Sequence, residues 1–289
     1  MEYGFHLLNI TGIYVILTLS LNLSVGYCGL PVLGQAAFAC VGAYTSSLLC
    51  LDFGWSPWFG FAAAGLVAAG TGGLLFLSCL RLKGDYLALA TFGFGVIVYS
   101  VAKNWAQLTR GPLGLSQIPP FSVMRVDLSR PWAFFPLVAV CVSVTYWVEH
   151  RIVSSPFGRV LQCIRDDETA TRASGKRTIW FKLQALMLTA FFAGLAGSLY
   201  AHYVTFIDPS SFTVNESIAV LLMVVFGGMA SLRGSVFGAA ALVLLPEALR
   251  FVGVPQSIAA PIRQMIYGLL LVVILLKRPQ GLIGAPVLR

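Results

Sequence analysis

Charged side chains are scarce in this sequence. Aspartate, glutamate, lysine and arginine make up 10% of the 289 residues, whereas hydrophobic residues make up 58% and the mean hydropathy is +0.84. A soluble domain carries about 25% charged residues, so a surface that faces water cannot be built from this composition. The shortage of charge excludes a soluble enzyme or a soluble binding domain and favours a protein embedded in a lipid bilayer.

Catalytic and cofactor motifs are also missing. The sequence contains no GxxxxGK[ST] phosphate loop, so the chain cannot bind ATP by that route. It contains no GxSxG or HExxH motif, its six cysteines form no CxxC pair, and its three histidines are scattered. We therefore predict that the chain is not an enzyme and that it binds no metal and no cofactor of its own.

Basic residues are absent from the first part of the chain, where the first one is Arg81. Cytoplasmic loops of membrane proteins are enriched in lysine and arginine. With the N-terminus outside and nine crossings, thirteen of the nineteen basic residues fall on the inner side. The net charge of +8 is thus interpreted as a topology signal rather than a nucleic-acid site, and the C-terminus is predicted to be cytoplasmic.

Long apolar runs recur along the whole chain, and about 20 apolar residues cross a bilayer as a helix. The sequence predicts an all-α, polytopic transmembrane bundle, a single domain over 1–289 with about nine spans (eight to ten). The predicted spans are 7–25, 34–51, 58–80, 86–103, 131–149, 182–205, 217–230, 235–252 and 262–277. The second and seventh are short or interrupted by glycine, so one of them is expected to be broken or re-entrant. The start, MEYGFH, lacks the basic residues of a signal peptide, so the first span is expected to be retained.

An ion-coupled secondary carrier is the main alternative of a different class, because such carriers place ionisable groups inside their spans. Here the acids are better explained at span ends. Glu216 follows Thr213 at the spacing of a capping box. Glu247 stands three residues before Arg250, which favours a pair on one helix face and leaves Glu247 as the best candidate for a coupled carrier.

The loop after the fifth span is the most charged part of the chain. Ser155-Pro156 is a helix-initiating pair, Leu161 and Ile164 recur at helical spacing, and Gly175 ends the pattern. This predicts a short amphipathic helix on the cytoplasmic surface, within a segment of about 155–177. Lipid contact alone does not require the acidic run from Asp166 to Glu168, so a groove on a protein partner is favoured over lipid headgroups.

Several long blocks carry a resemblance to a known family. They are LNLSVGYCGLPVLGQAAFACVGAYTSSLL (21–49), KGDYLALATFGFGVI (83–97), SPFGRVLQCIRDDETATRASG (155–175), KLQALMLTAFFAGLAGSLYAHY (182–203), ESIAVLLMVVFGGMASLRGSVFGAA (216–240) and RPQGLIG (278–284). In these blocks the chain resembles the LivM-type permease subunit of branched-chain amino acid ABC importers. The blocks occur in the same order over nearly the whole chain.

The resemblance implies a function and a set of partners. The chain would be a permease subunit in the bacterial inner membrane that translocates amino acids, branched-chain or hydrophobic ones, delivered by a periplasmic substrate-binding protein. Its partners would be a homologous LivH-type permease, two cytoplasmic ATPases that bind the ATP and magnesium, and the lipid bilayer, with no nucleic acid. An importer of the same architecture for urea, short amides or aromatic acids remains an alternative, as does the ion-coupled carrier.

The resemblance also implies residue roles. The 155–175 segment corresponds to the coupling helix that docks into the ATPase, although Glu168-Thr169-Ala170 is followed by Gly175 one position later than in the general importer pattern. The predicted ATPase-coupling residues are Arg159, Arg165, Asp166, Asp167, Glu168, Thr169, Arg172 and Gly175. The predicted translocation path contains Asn22, Gln35, Thr91 and Glu216, of which the first three have packed, interhelical roles as the alternative. Since the family is usually apolar at Asn215-Glu216, a more polar or cationic substrate is also considered.

Overall fold

A computed structural model describes residues 2–79, 82, 84–123, 126–251, 265, 268–269 and 281–282. Helices dominate this part of the chain, which confirms the predicted helical membrane protein. They are α1 (Glu2–Asn22), α2 (Gln35–Phe53), α3 (Pro57–Ser78), α4 (Asp85–Asn104), α5 (Ala106–Thr109), α6 (Pro131–Ser154), α7 (Pro156–Asp166), α8 (Glu168–Ala173), α9 (Thr178–Val204), α10 (Val214–Gly227) and α11 (Leu232–Phe251). A π-helical turn (Leu23–Tyr27) extends α1, and 3-10 turns cover Gly111–Leu113 and Pro209–Phe212.

Seven helices in the described residues are long and apolar enough to cross a membrane. They are α1 with its π-helical turn, α2, α3, α4, α6, α9, and α10 with the 3-10 turn before it. The apolar stretch Leu232–Leu245 of α11 is shorter. The predicted ninth span, 262–277, lies outside the described residues except for 265 and 268–269. The total of nine therefore stays a prediction.

Small residues bring the central helices α2, α3 and α9 into backbone contact. A Cβ atom on Gly197 of α9 would overlap the carbonyl of Ala39 in α2, and one on Gly42 of α2 would overlap Gly194 of α9. A Cβ atom on Gly194 would in turn overlap Ala68 of α3. Such close approach increases dispersion contacts where lipid offers no hydrophobic driving force. These three helices form the most closely packed group in the described part of the chain.

The second predicted span, 34–51, is not broken: α2 is one continuous helix over Gln35–Phe53, and the chain breaks between α1 and α2 instead. Residues 28–34 have no regular structure, and α2 begins only at Gln35. The side-chain Nε2 of Gln35 donates to the carbonyl of Leu17 at 3.2 Å, which places the start of α2 beside the second half of α1. Irregular backbone at membrane depth is tolerated where protein covers it or where it lines a wet cavity. This break is therefore a natural place to look for a site.

The long loop between α4 and α6 contains short strands that an all-helical prediction does not include. β1 (Leu115–Ser116) pairs with β4 (Phe206–Ile207), and β2 (Ser122–Val123) pairs with β3 (Val126–Asp127), both antiparallel. The ring of His202 in α9 also ties the loop down, through a 2.6 Å hydrogen bond between Nδ1 and the Pro119 carbonyl. These contacts hold the loop over one end of the bundle.

Candidate functional site

A cavity of about 130 Å³ lies between α1, α2, α9, α10 and the 3-10 turn before α10. A cavity needs about 10–15 Å³ to hold one water molecule. This cavity of about 130 Å³ therefore has room for several waters or for one small amino acid. Its walls are mainly apolar, with aliphatic side chains such as Ile13, Leu17 and Val220 and the aromatic rings of Tyr200 and Phe212. The polar groups Tyr14, Gln35, Ser211 and Glu216 also line it.

Gln35 is a fully buried polar side chain in this wall. Its Nε2 donates to the Leu17 carbonyl at 3.2 Å and to Ser20 Oγ at 2.8 Å. A carbonyl can only accept, so this bond fixes which end of the amide is the donor. The other end, Oε1, has no hydrogen-bond partner in the described part of the chain. The α2 start therefore presents an unpaired acceptor beside the cavity.

Glu216 lies in the first turn of α10, and Tyr14 of α1 donates a hydrogen bond to its Oε2 at 2.9 Å. The predicted capping box is wrong, because the Thr213 side chain makes no capping bond and the Glu216 N–H donates to the Thr213 carbonyl instead. The carboxylate is thus turned towards α1. Ala36 N donates to Ser217 Oγ at 2.9 Å, which fastens the neighbours of Gln35 and Glu216 to each other.

The other two predicted path residues lie away from this cavity. The Asn22 amide donates to Ser231 O and Ser235 Oγ, and its Oδ1 accepts from Ala230 N at 3.0 Å. Asn22 therefore fixes the turn between α10 and α11.

Thr91 holds the irregular segment before α2 against α4. Its Oγ1 accepts from Leu33 N at 3.0 Å and donates to the Ala88 carbonyl at 2.9 Å. The structure thus brings Gln35 and Glu216 together and assigns packing contacts to Asn22 and Thr91.

The charged segment after α6 forms two helices rather than the one predicted. Ser155 caps α7 by accepting from Gly158 N, and Pro156 follows at the first helical position, as the sequence predicts. Leu161 and Ile164 are the large apolar residues that α7 buries. The helix then breaks at Asp167, whose carboxylate accepts from Thr169 N and Ala170 N and so caps α8. Because the Asp167 carboxylate accepts hydrogen bonds from the first N–H groups of α8, it stabilises the start of that helix.

Glu168 joins α8 to the start of α9 through an ion-pair network. Its carboxylate lies 2.6 Å from Arg172 and 2.6 Å from Lys182, and Thr178 Oγ1 donates to it at 3.1 Å. Partial burial alone would raise the pKa of Glu168, but the hydrogen bonds from Lys182, Thr178 and Arg172 outweigh it and hold this pKa below its ordinary value. The network fastens α8 to a long spanning helix.

Arg165 joins α7 to the end of α1. Its NH1 donates to the Gly26 carbonyl at 3.0 Å, while Nε donates to the neighbouring Asp166 at 3.0 Å. The remaining predicted coupling residues face solvent: Arg159, Thr169 and Gly175 are exposed, and the side chain of Asp166 is 59% exposed. The eight predicted residues therefore divide into an inner set (Arg165, Asp167, Glu168 and Arg172), whose side chains hold the segment together or to other helices, and an outer set (Arg159, Asp166, Thr169 and Gly175) that is exposed to solvent.

The family of the chain follows from sequence comparison. Residues 4–275 match the family model described as the permease component of the branched-chain amino acid transport system. The chain belongs to this family. It is therefore a membrane subunit of a transporter and not an enzyme. Among the described residues of this permease, no group of three histidine, cysteine, aspartate or glutamate side chains could hold a metal ion.

Curated relatives agree with the family assignment. The permease is 38% identical to the high-affinity branched-chain amino acid transport system permease proteins LivM of Salmonella typhimurium and Escherichia coli, over 94% and 95% of its own length and 68% of theirs. It is 26% identical, over 94% of its length and 90% of theirs, to a probable LivM protein of Methanocaldococcus jannaschii. Among solved structures, PsaBC from Streptococcus pneumoniae in complex with a Fab matches with a TM-score of 0.50 at 15% identity, covering 97% of this chain and 93% of that one. That likeness concerns the fold alone.

Sequence reasoning missed one buried acid in the permease. Glu149 in α6 is fully buried, and neither carboxylate oxygen has a hydrogen-bond partner among the described residues. Glu149 is the last residue of the predicted span 131–149, so the span prediction places it at a span end but does not indicate that it is buried. The signal was available, because Phe134, Val138, Thr145 and Glu149 share one helix face and are the residues that α6 buries. The side chains of Glu247 and Arg250, the other acid and its predicted partner, lie outside the described part.

Proposed function

We propose that this permease is one membrane-spanning half of an ABC importer for branched-chain or other hydrophobic amino acids in the bacterial cytoplasmic membrane. The family assignment and the names of the LivM relatives support this substrate class. A LivH-type permease would complete the pathway, and a periplasmic binding protein would deliver the substrate. Two cytoplasmic ATPases would supply the energy from ATP and magnesium, and the N-terminus would face outwards with the C-terminus in the cytoplasm.

The observation that carries the proposal is the way α7 and α8 are attached. Arg165 bonds to the end of α1, and Glu168 bonds to Lys182 of α9. A force applied to α7 or α8 would therefore reach two spanning helices through short, charge-assisted bonds. The exposed residues Arg159, Asp166, Thr169 and Gly175 would form the contact with the ATPase, and Arg165, Asp167, Glu168 and Arg172 would keep the segment rigid.

The translocation path would run past the cavity beside Gln35 and Glu216. Membrane transporters place substrate sites where helices are broken near the middle of the bilayer, and α2 starts at such a break. Asn22 and Thr91 would act at this path indirectly, since they hold the backbone turns on either side. Alternating access would then open and close the helices that line the cavity.

Docking can be tested with one charge reversal. Asp166→Lys should lower the amount of ATPase that co-purifies with the permease, because lost charge pairs at interfaces cost about 2–5 kcal/mol and so weaken binding more than about tenfold. ATP-driven leucine uptake should fall in parallel. The thermal unfolding of the permease should not change, because Asp166 is exposed and its one described partner is the adjacent Arg165.

Asp52→Lys provides the matched control, since Asp52 is an exposed acid at the end of α2. This variant should keep both the ATPases and the uptake. Normal co-purification and normal uptake in Asp166→Lys would contradict the docking role. Uptake of leucine against a gradient by vesicles without any ATPase would contradict the importer itself and favour an ion-coupled carrier, whereas ATP-driven uptake of urea or of lysine but not of leucine would reassign the substrate.

A further inference from the structure

Among the described residues, Gln35 differs from the other buried polar side chains that have no hydrogen-bond partner, because it lines a cavity. Five side chains in the described residues have a buried polar atom without a hydrogen-bond partner: Asn9, Gln35, Tyr44, Ser47 and Glu149. Of these five, Gln35 is the one that lines the cavity. A buried acceptor without a partner costs about 1–3 kcal/mol, so a ligand group that donates to it would recover that free energy.

Two of the residues that line the cavity, Gln35 and Glu216, carry hydrogen-bond acceptors. Gln35 uses both donor hydrogens on Leu17 O and Ser20 Oγ and keeps only Oε1 for a ligand. Glu216 is a half-buried carboxylate that uses Oε2 for the Tyr14 hydroxyl. The bond between Ala36 N and Ser217 Oγ holds the two residues on adjoining first turns of α2 and α10. An amide oxygen and a carboxylate on adjoining helix starts match a donor that carries positive charge and several hydrogens, which describes an ammonium group.

The apolar walls of the cavity indicate what the rest of the ligand, apart from its ammonium group, is made of. Ile13, Leu17, Ala39 and Val220 are aliphatic, and the volume of about 130 Å³ limits the ligand to a small molecule. An aliphatic body would pack there by removing apolar surface from water. A ligand that matches both the acceptors and the aliphatic walls has a primary ammonium group and a short aliphatic chain.

We propose that this chain holds a substrate subsite of its own, in which Gln35 Oε1 and the Glu216 carboxylate bind the ammonium group of a small aliphatic amino acid. The inference rests on the proposed transport function and adds to it a recognition step inside the membrane subunit. The permease then selects for the ammonium group after the binding protein has released the substrate. Analogues that lack this group would be rejected at this point.

The test uses the assembled importer in lipid nanodiscs without its binding protein, with three competitors of labelled leucine. These are leucine, isopentylamine, which keeps the ammonium group and lacks the carboxylate, and isocaproate, which keeps the carboxylate and lacks the ammonium group. Leucine and isopentylamine should compete, and isocaproate should not. In Glu216→Gln and in Gln35→Leu, the affinity for both amines should fall about tenfold or more, because the first change removes the negative charge opposite the ammonium group and the second removes a hydrogen-bond acceptor for it.

Glu2→Gln is the matched control, since Glu2 is an exposed acid in the first turn of α1, and its affinities should equal those of the unaltered protein. If Gln35→Leu does not assemble, Glu216→Gln decides the result, because it preserves the shape and the Tyr14 partner. Competition by isocaproate equal to that of isopentylamine, unchanged affinities in the assembled variants, or no competition at tens of millimolar would each overturn the subsite.

Uptake by the same complexes, supplied with binding protein and ATP, separates the two proposals. Normal leucine uptake with a failed binding pattern contradicts the subsite alone, and absent uptake of every amino acid contradicts the transport function.

Discussion

The polar groups of the α7–α8 segment and those of the spanning helices differ in whether they have partners. In α7 and α8, the charges that touch the rest of the chain are paired: Asp167 caps a helix, Glu168 binds Arg172 and Lys182, and Arg165 binds a backbone carbonyl. In the described residues, the buried polar atoms without a partner all lie in the spanning helices α1, α2 and α6. The more polar region is therefore the one whose buried hydrogen bonding is complete.

This difference separates polar groups that stabilise the fold from polar groups that are retained for function. A buried polar atom without a partner is destabilising, and ionisable groups within membrane spans are costly and commonly functional. Three of the five unpaired side chains, Gln35, Tyr44 and Ser47, lie in α2, the helix that starts at the break in the bundle. The paired charges stabilise a rigid segment, and the unpaired atoms mark the helix beside the cavity.

The largest expected effect comes from breaking the closed network. Glu168→Lys should lower the free energy of unfolding by about 3 kcal/mol, because it removes the partner of a largely buried Lys182 and adds a like charge beside it. Thermal unfolding of the purified permease measures this change. Assembly with the ATPases should also fall, since α8 would no longer be held to α9.

A charge swap at the same pair provides the control. The double variant Glu168→Lys with Lys182→Glu restores opposite charges at the 2.6 Å contact, so it should recover most of the lost stability. An equal loss in the double variant would mean that the pair is not the source of the effect. Asp166→Lys, an exposed neighbour, should stay within about 0.5 kcal/mol of the unaltered protein.

The second effect has the opposite sign and comes from an unpaired group. Glu149→Leu should raise the free energy of unfolding by about 1–2 kcal/mol, because an apolar side chain of similar size replaces a buried carboxyl group whose two oxygens have no partner among the described residues. The thermal unfolding assay again gives the result. A clear loss of stability would show that Glu149 has a partner elsewhere in the assembled protein, and the two regions would then differ less than they do here.

Much of the architecture could be predicted because it depends on local composition. Apolar length predicts the spanning helices and Ser155-Pro156 predicts the start of α7, whereas the break expected inside the second or seventh span lies between α1 and α2 instead. These signals need no knowledge of what packs against them. The pairing of Gln35 with Glu216 at one cavity was only partly predictable, because both were named as path residues without evidence that they are neighbours.

The remaining features depend on contacts between distant parts of the chain. Thr213 and Glu216 have the spacing of a capping box, but Tyr14 of another helix donates to the carboxylate. The split between α7 and α8 depends on Asp167 capping the second helix, which competes locally with a continuous helix. Asn22 looks like a path residue from its sequence position, yet its amide bonds to a turn more than two hundred residues away.

The smallest expected effect concerns the backbone at the end of the paired region. Gly175 follows α8 with a φ of 83°, and a Cβ atom there would meet nothing within 4 Å. Gly175→Ala should therefore cost about 1 kcal/mol in the free energy of unfolding, purely because an L-residue disfavours this left-handed conformation. Gly93→Ala is the matched comparison, since Gly93 is also free of contacts but lies within α4, where alanine should be neutral or stabilising by up to about 1 kcal/mol. Equal unfolding temperatures for the two variants would mean that the turn after α8 adapts without cost, and that the rigidity of the α7–α8 segment ends at its ion pairs.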